Sequence, residues 1–323
     1  MKAVFCEQLD GPEALVLRDI PEPDAPEANQ IRVHVQARSI SFTDVLMSKG
    51  EYQVKPPLPF VVGGEGAGEV LEVGSDVNGL SIGDKVMVGS GCIEQVVVDA
   101  DRATRIPGKA DLAAAASYRS NYSTALYALQ RGRLQPGENL LIHGAAGGVG
   151  LAAVDVGKLL GARVIATAST EEKLKVVSDM GADEVINYTD GFREQVKDLT
   201  EGKGADVIYD PVGGDVFDES MRCIAPFGRI LIVGFTGGRA ALAKTNHLLI
   251  KDAELIGFTI GGLMRHAPEW SARNQKQLLE WLGSGRIRPY VSHRFPMSQI
   301  AEGLRMITER RVIGKVLIEN ELS

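Results

Sequence analysis

Cysteine is scarce: three in 323 residues, at positions 6, 92 and 223. No two are close enough for a CxxC or a spaced metal cluster, and an odd number in a long chain does not read as a disulfide framework. Histidine is also sparse, with five residues scattered at 34, 143, 247, 266 and 293, so none is assigned a catalytic or metal-binding role. No uncharged apolar run reaches the ~18 residues of a spanning helix, which excludes a polytopic membrane protein. Positive charge is in deficit, 35 Lys and Arg against 42 Asp and Glu for a net charge of −7. Without a Lys/Arg run, that balance argues against nucleic acid and anionic membrane as partners. The opening residues, Met1 to Glu7, meet an acid too early for the apolar core of a signal peptide. A cytoplasmic protein is expected.

Glycine is the exception, at 37 residues. Its positions divide the chain, whose length suggests two domains at ~150 residues each. Up to about residue 110 the sequence is β-rich. Ile31–Ala37 alternates with period 2, and Glu69–Gly74, Asp84–Val88 and Gln95–Val98 are short strands bounded by turn residues, a pattern of a compact antiparallel barrel or sandwich. From about 112 the character changes, with helical composition over Leu112–Ser117 and Ser123–Arg131. Strands then alternate with helices: Asn139–His143, Arg163–Ala168, Glu184–Asn187, Ala205–Asp210, Gly228–Gly234 and Glu254–Phe258, with helices over Leu151–Leu160 and Glu171–Met180. Near-continuous apolar strands alternating with helices predict a parallel sheet covered on both faces. The tail carries a helix over Asn274–Leu282, an extended Arg288–Phe295, a helix from Ser298 and a closing strand Gly314–Ile318.

The segment His143-Gly144-Ala145-Ala146-Gly147-Gly148-Val149-Gly150 joins the first parallel strand to its helix. Glycines there permit a tight turn and let backbone N–H groups of Ala146, Gly147, Gly148, Val149 and Gly150 approach a pyrophosphate at the positive helix end. Strand before, helix after and a βαβ unit around it supply the context of a dinucleotide site. An Asp or Glu on the adenosine ribose would stand at the end of the second strand, where this chain has Ala168. With no carboxylate to repel it, a 2′-phosphate fits, with Ser169 and Thr170 as donors and Lys173 one turn into the next helix. NADP(H) is therefore favoured over NAD(H). Ser169 also reads as a helix cap completed by Glu172 as a capping box, and Lys173 as a solvated charge.

Four segments carry a family resemblance: Phe60–Val70 (FVVGGEGAGEV), Leu134–Gly150 (LQPGENLLIHGAAGGVG), Asp210–Gly214 (DPVGG) and Arg311–Lys315 (RVIGK). They resemble the medium-chain dehydrogenase/reductase superfamily, in its zinc-independent quinone oxidoreductase (ζ-crystallin-like) branch, over nearly the whole chain. The resemblance implies an α/β fold in which a doubly wound Rossmann domain is inserted into a GroES-like β-rich catalytic domain. The implied boundaries are 1–117 for the first part of the catalytic domain, 118–258 for the NADPH-binding domain and 259–323 for the second part. A homodimer is implied by the same analogy, through the strand near Leu255.

Where zinc-dependent relatives carry Cys and His ligands, this chain has Ser41 and Gly64. Asp44 and Glu65 remain, and two carboxylates without Cys or His are not a zinc site. No metal is expected. The resemblance further implies cofactor contacts at Ser41 and Thr124 near the nicotinamide, at Tyr188 and Arg311 with Lys173 near the 2′-phosphate, and at the backbone of Gly234 and Phe235. Tyr52 matches a branch tyrosine near the acceptor, either a hydrogen-bond donor to it or an aromatic lid. Tyr118-Arg119-Ser120-Asn121 departs from a segment usually apolar, so Arg119 either favours an anionic substrate or pairs with a surface acid. Without a metal, developing alkoxide charge on a simple ketone has no cation beside it. The expected partner is a small electrophile, a quinone or α,β-unsaturated carbonyl, reduced by NADPH. The rival readings are a non-catalytic NADPH-binding protein and a zinc-free alcohol or ketone reductase.

Overall fold

The computed structural model describes residues 1–321, which form two compact units. One comprises Met1–Arg119, Leu282–Gly285 and the described tail from Pro289; the other comprises Ser120–Trp281 and Arg286–Arg288.

The second unit is built on a six-stranded sheet, every strand parallel to its neighbours. Its order across the sheet is Glu184–Asn187, Arg163–Ala168, Asn139–Ile142, Ala205–Asp210, Ile224–Ile232 and Glu254–Gly257. Ala205–Asp210 is buried at every position, which explains its unbroken apolar pattern: helices cover both faces of a parallel sheet. Leu141, Ile165, Ile208, Phe217 and Ile230 belong to its core. In chain order the strands run third, second, first, fourth, fifth, sixth. The reversal lies between Asn139–Ile142 and Ala205–Asp210, and ligands of such sheets bind outside the carboxyl ends at that switch point.

The first unit holds a seven-stranded sheet and a three-stranded one. Its long strand Gln30–Ile40 alternates buried and half-buried residues over most of its length. Lys315–Glu319 pairs antiparallel with it, Val316 opposite Ile40, so a strand from the tail joins the sheet that Gln30–Ile40 begins. Val4, Ile40, Val62, Leu304 and Val316 share one core. The sheet is not purely antiparallel, because Val291–Pro296 joins Lys315–Glu319 in parallel.

The units divide the chain differently from the expected boundaries of 118 and 259. Tyr118 and Arg119 fall in the first unit, and the helices Ile260–His266 and Pro268–Ser284 stay with the second as far as Trp281. The cause is a set of polar ties to the helix Arg119–Arg131. Trp270 Nε1 and Asn274 Nδ2 each donate to Gln130 Oε1 at 2.8 Å, and Gln275 donates to Ser123 Oγ at 2.8 Å. Tyr127 meets Trp270 edge to face at 5.1 Å. Among the described residues no helix is long and apolar enough to cross a membrane.

Candidate active site

The glycine segment follows Ile142 directly. The helix after it begins at Gly148 rather than Leu151, with Gly147 as N-cap. Gly148, Val149 and Gly150 are thus its first three residues, whose amides have no partner inside the helix. Ala145 N donates to Thr167 O at 3.0 Å and Gly147 N to Gly144 O at 2.9 Å, closing a tight turn in which Gly144 has φ +55°. A Cβ on Gly150 would lie 2.4 Å from Gly144 O and 2.6 Å from Ala145 Cα, so only glycine lets helix and turn approach this closely. Aligned amides at the positive end of the helix dipole make an anion site, and this one fits a dinucleotide pyrophosphate.

His143 supports the turn, a role the sequence did not reveal. It is fully buried, with Nε2 2.8 Å from Ser220 Oγ and Nδ1 3.1 Å from Thr167 Oγ1. Ser220 Oγ donates to Val216 O at 2.7 Å, so it accepts from Nε2–H, and Nδ1 accepts from Thr167. Burial pushes the imidazole down to about 3, which keeps it neutral.

The neighbouring strand ends carry the residues predicted for the adenosine end. Ala168 pairs with Asn187, so Ser169 and Tyr188 each follow the end of adjacent strands. Ser169 is not the helix cap. Thr170 is, its Oγ1 accepting from Lys173 N at 3.3 Å. The helix Glu171–Asp179 starts one residue later than a Ser169–Glu172 box requires, and Lys173 is its third residue. Tyr188 opens a short 3-10 turn and packs on the core. The structure thus brings Ser169, Lys173 and Tyr188 to one edge of the sheet. On the other side of the switch point, Asp210 accepts from Val212 N and Gly213 N at 2.8 and 2.9 Å. Gly234 and Phe235 follow the strand Ile224–Ile232, anchored by Val233 N to Asp210 O at 2.9 Å; the Phe235 side chain is exposed. Thr124 Oγ1 donates to Ser120 O at 2.8 Å, one turn back in its helix.

The first unit holds a separate small pocket lined by Gly64, Glu65, Gly66, Met87, Val88, Ala115, Tyr118 and Arg119. Behind Glu65 lies Lys315, a buried residue that sequence reading overlooked, with Nζ 3.9 Å from Glu65 Oε2. Ser39 Oγ donates to the same Glu65 oxygen at 3.1 Å. Ser41 caps the helix Phe42–Ser48: its N and Oγ both donate to Asp44 Oδ2, at 2.7 and 3.0 Å. Burial pushes the Asp44 carboxyl up, opposed by those two bonds and by Lys315. Tyr52 is half-buried in an irregular segment. Arg311 lies in the first unit, unlike Lys173 and Tyr188, and pairs with Glu309 at 3.1 Å.

The donor set does not fit a catalytic zinc. Among the described residues no three His, Cys, Asp or Glu side chains are grouped to hold a metal ion. Cys92 is buried, and burial raises its thiol to about 12.

Two family models match the chain, one in each part. The family model for the alcohol dehydrogenase GroES-like domain matches residues 27–122, and that for zinc-binding dehydrogenases matches 148–280. The chain is 39% identical to a quinone oxidoreductase-like protein 2 homolog of Nematostella vectensis, covering 99% of this chain and 89% of that protein. It is 32% identical to a quinone oxidoreductase of Pseudomonas aeruginosa, covering 95% and 96%. The crystal structure of Escherichia coli quinone oxidoreductase complexed with NADPH superposes with a TM-score of 0.86 at 29% identity, covering 99% of this chain and 100% of that one.

Proposed function

Because the chain belongs to the medium-chain dehydrogenase/reductase family, in its quinone oxidoreductase branch, we propose that it is an NADPH-dependent oxidoreductase acting without a metal on a quinone or an α,β-unsaturated carbonyl. The observation that carries the cofactor reading is Ala168 at the end of the second strand. A carboxylate there would bind a ribose 2′-OH and repel a 2′-phosphate. Instead the next residues offer the Ser169 hydroxyl, the Lys173 ammonium and Tyr188, beside a glycine turn that holds the pyrophosphate.

Bound there, NADPH supplies a hydride from C4 of its nicotinamide. The chain's own groups bind and orient, and water supplies the proton that completes the reduction. Ser41 and Thr124 have already committed their hydroxyl hydrogens, to Asp44 and to Ser120 O. Toward a ligand each is therefore an acceptor. On the second unit, Gly234 and Phe235 offer backbone groups to the nicotinamide carboxamide. At the acceptor, conjugation carries the arriving charge to oxygen, where the Tyr52 phenol donates a hydrogen bond. A simple ketone, lacking conjugation and without a Lewis acid, is the poorer substrate.

A homodimer belongs to the same proposal. Glu254–Gly257 is the last strand of the parallel sheet, and the helix before it, Thr245–Lys251, leaves Leu249 79% and Ile250 74% exposed. Open sheet edges are normally covered, and a second copy of this edge does so.

Binding measurements test the reading. Lys173→Ala is expected to weaken NADPH by about 1–3 kcal/mol, roughly 5- to 150-fold, and NADH little. Ala168→Asp is expected to shift preference toward NADH. Equal losses for both cofactors in the first variant, or undiminished NADPH binding in the second, would overturn it.

A further inference from the structure

Asp210 ends the strand Ala205–Asp210, beside the switch point of the parallel sheet. The backbone on either side of it belongs to the proposed cofactor site. A Cβ on Gly144, in the glycine turn, would lie 3.6 Å from Pro211 Cγ, and one on Gly234 would lie 3.3 Å from Pro211 O. Val233 N donates to Asp210 O at 2.9 Å. Asp210 therefore stands between the turn proposed for the pyrophosphate and the backbone proposed for the nicotinamide carboxamide. All of these groups lie in the second unit.

The side chain is 1% exposed. Val212 N and Gly213 N both donate to Oδ1, at 2.8 and 2.9 Å, which fixes its orientation. Among the described residues Oδ2 has no hydrogen-bond partner, yet it is not one of the fully enclosed orphan atoms, so it lies where the residue meets solvent. Burial pushes the carboxyl up, opposed by the two backbone bonds. A buried carboxylate is ordinarily met by a cation, and among the described residues none is paired with this one. The proposed cofactor has such a cation in one of its two states: the nicotinamide ring is neutral in NADPH and positive in NADP+. We infer that Asp210 tunes the proposed site, its carboxylate stabilising the positive charge left on the ring when hydride departs. The hydride carries both electrons of its C–H bond to the acceptor, so no further reactant is needed. The inference rests on the proposed NADPH-dependent reduction and adds what makes the bound cofactor a better donor. A residue that merely caps the turn would not distinguish the two cofactor states.

The test measures Kd for NADPH and for NADP+ separately, in wild type and Asp210→Asn. Asparagine keeps an Oδ1 for both backbone bonds and removes the charge. The ratio of Kd, NADPH over NADP+, should fall roughly 3- to 30-fold in the variant, the scale of one charge acting through a partly hydrated site. Equal changes for both forms, or none, overturn the inference and leave the proposed function standing. Wild type that binds neither form overturns both. If the variant does not fold, wild type alone decides. Its ratio should fall as pH drops from 8 to 5, because protonation removes the Asp210 charge, while the 2′-phosphate is common to both forms and cancels. On the adjoining segments, burial keeps His143 neutral, and Arg239 is paired with Asp215 and Asp218. A ratio constant over that range overturns the inference.

Discussion

His143 shows how one residue ties the cofactor turn to the core. Its two ring nitrogens bond Thr167, on the second strand, and Ser220, on the helix Gly214–Cys223, so the residue that starts the glycine turn is fixed from both sides. The cost falls on acid stability. The folded imidazole titrates near 3, against about 6.5 when unfolded. Between those values the unfolded chain binds a proton that the folded one does not, so stability falls as pH drops below about 6.5, by up to about 1.4 kcal/mol per pH unit. The contribution is fully present above 6.5. Urea unfolding at pH 7 and pH 5 should show wild type losing about 2 kcal/mol more than His143→Gln over that interval. The buried acids Asp44, Asp155 and Asp210, shifted upward by burial, act in the opposite sense and are common to both proteins. Identical pH slopes would mean that His143 is not held neutral. In sequence His143 is one of five scattered histidines, and its partners come from segments far along the chain. Lys315 escaped notice for the same reason: only the pairing of the last strand with Gln30–Ile40 brings it to Glu65.

Elements were legible where burial leaves a simple pattern. Arg163–Ala168 and Ala205–Asp210 are read from sequence to the residue because buried strands are short apolar runs with turn residues at their ends, and the edge strand Glu184–Asn187 is read as closely from its β-branched pair between turn residues. The three-stranded sheet was not read. Leu15–Asp19 has no fully buried residue, and Phe60–Val61 is two residues long. The helix Gly214–Cys223 hides behind two glycines at φ +71° and +55°, which in sequence read as a turn. The glycine segment between the first parallel strand and its helix was legible as a strand-to-helix turn, though its helix starts three residues earlier than apolar periodicity suggests. That early start makes Gly150 critical. Its Cβ would meet backbone, which no rotamer change relieves. Gly150→Ala should therefore weaken NADPH binding at least about tenfold and destabilise its unit by about 1–3 kcal/mol. Gly147→Ala, whose Cβ would lie 3.3 Å from Gly144 O, should cost less. NADPH titration and thermal melts of both variants check the order, and equal damage would contradict it.

At the scale of the whole molecule, the chain builds two units with separate tasks. The parallel sheet carries the glycine turn, with Ser169, Lys173 and Tyr188 just past its strand ends. The β-rich unit, which Lys315–Glu319 joins by pairing with Gln30–Ile40, carries a pocket with Glu65, Tyr118 and Arg119. The two-unit plan was visible in the change of pattern near residue 112. Its exact seams were not, because they depend on bonds such as Trp270 to Gln130 that join distant helices. The central claim is that reducing equivalents from NADPH arrive as hydride at a conjugated acceptor. It is tested most directly with NADPH deuterated at C4 on the transferred face, offered in parallel to an enone and to a simple ketone of similar size. The account predicts deuterium on the β-carbon of the reduced enone and slow reaction of the ketone. Deuterium on the carbinol carbon of the ketone at a comparable rate, or an enone product without deuterium, would contradict it.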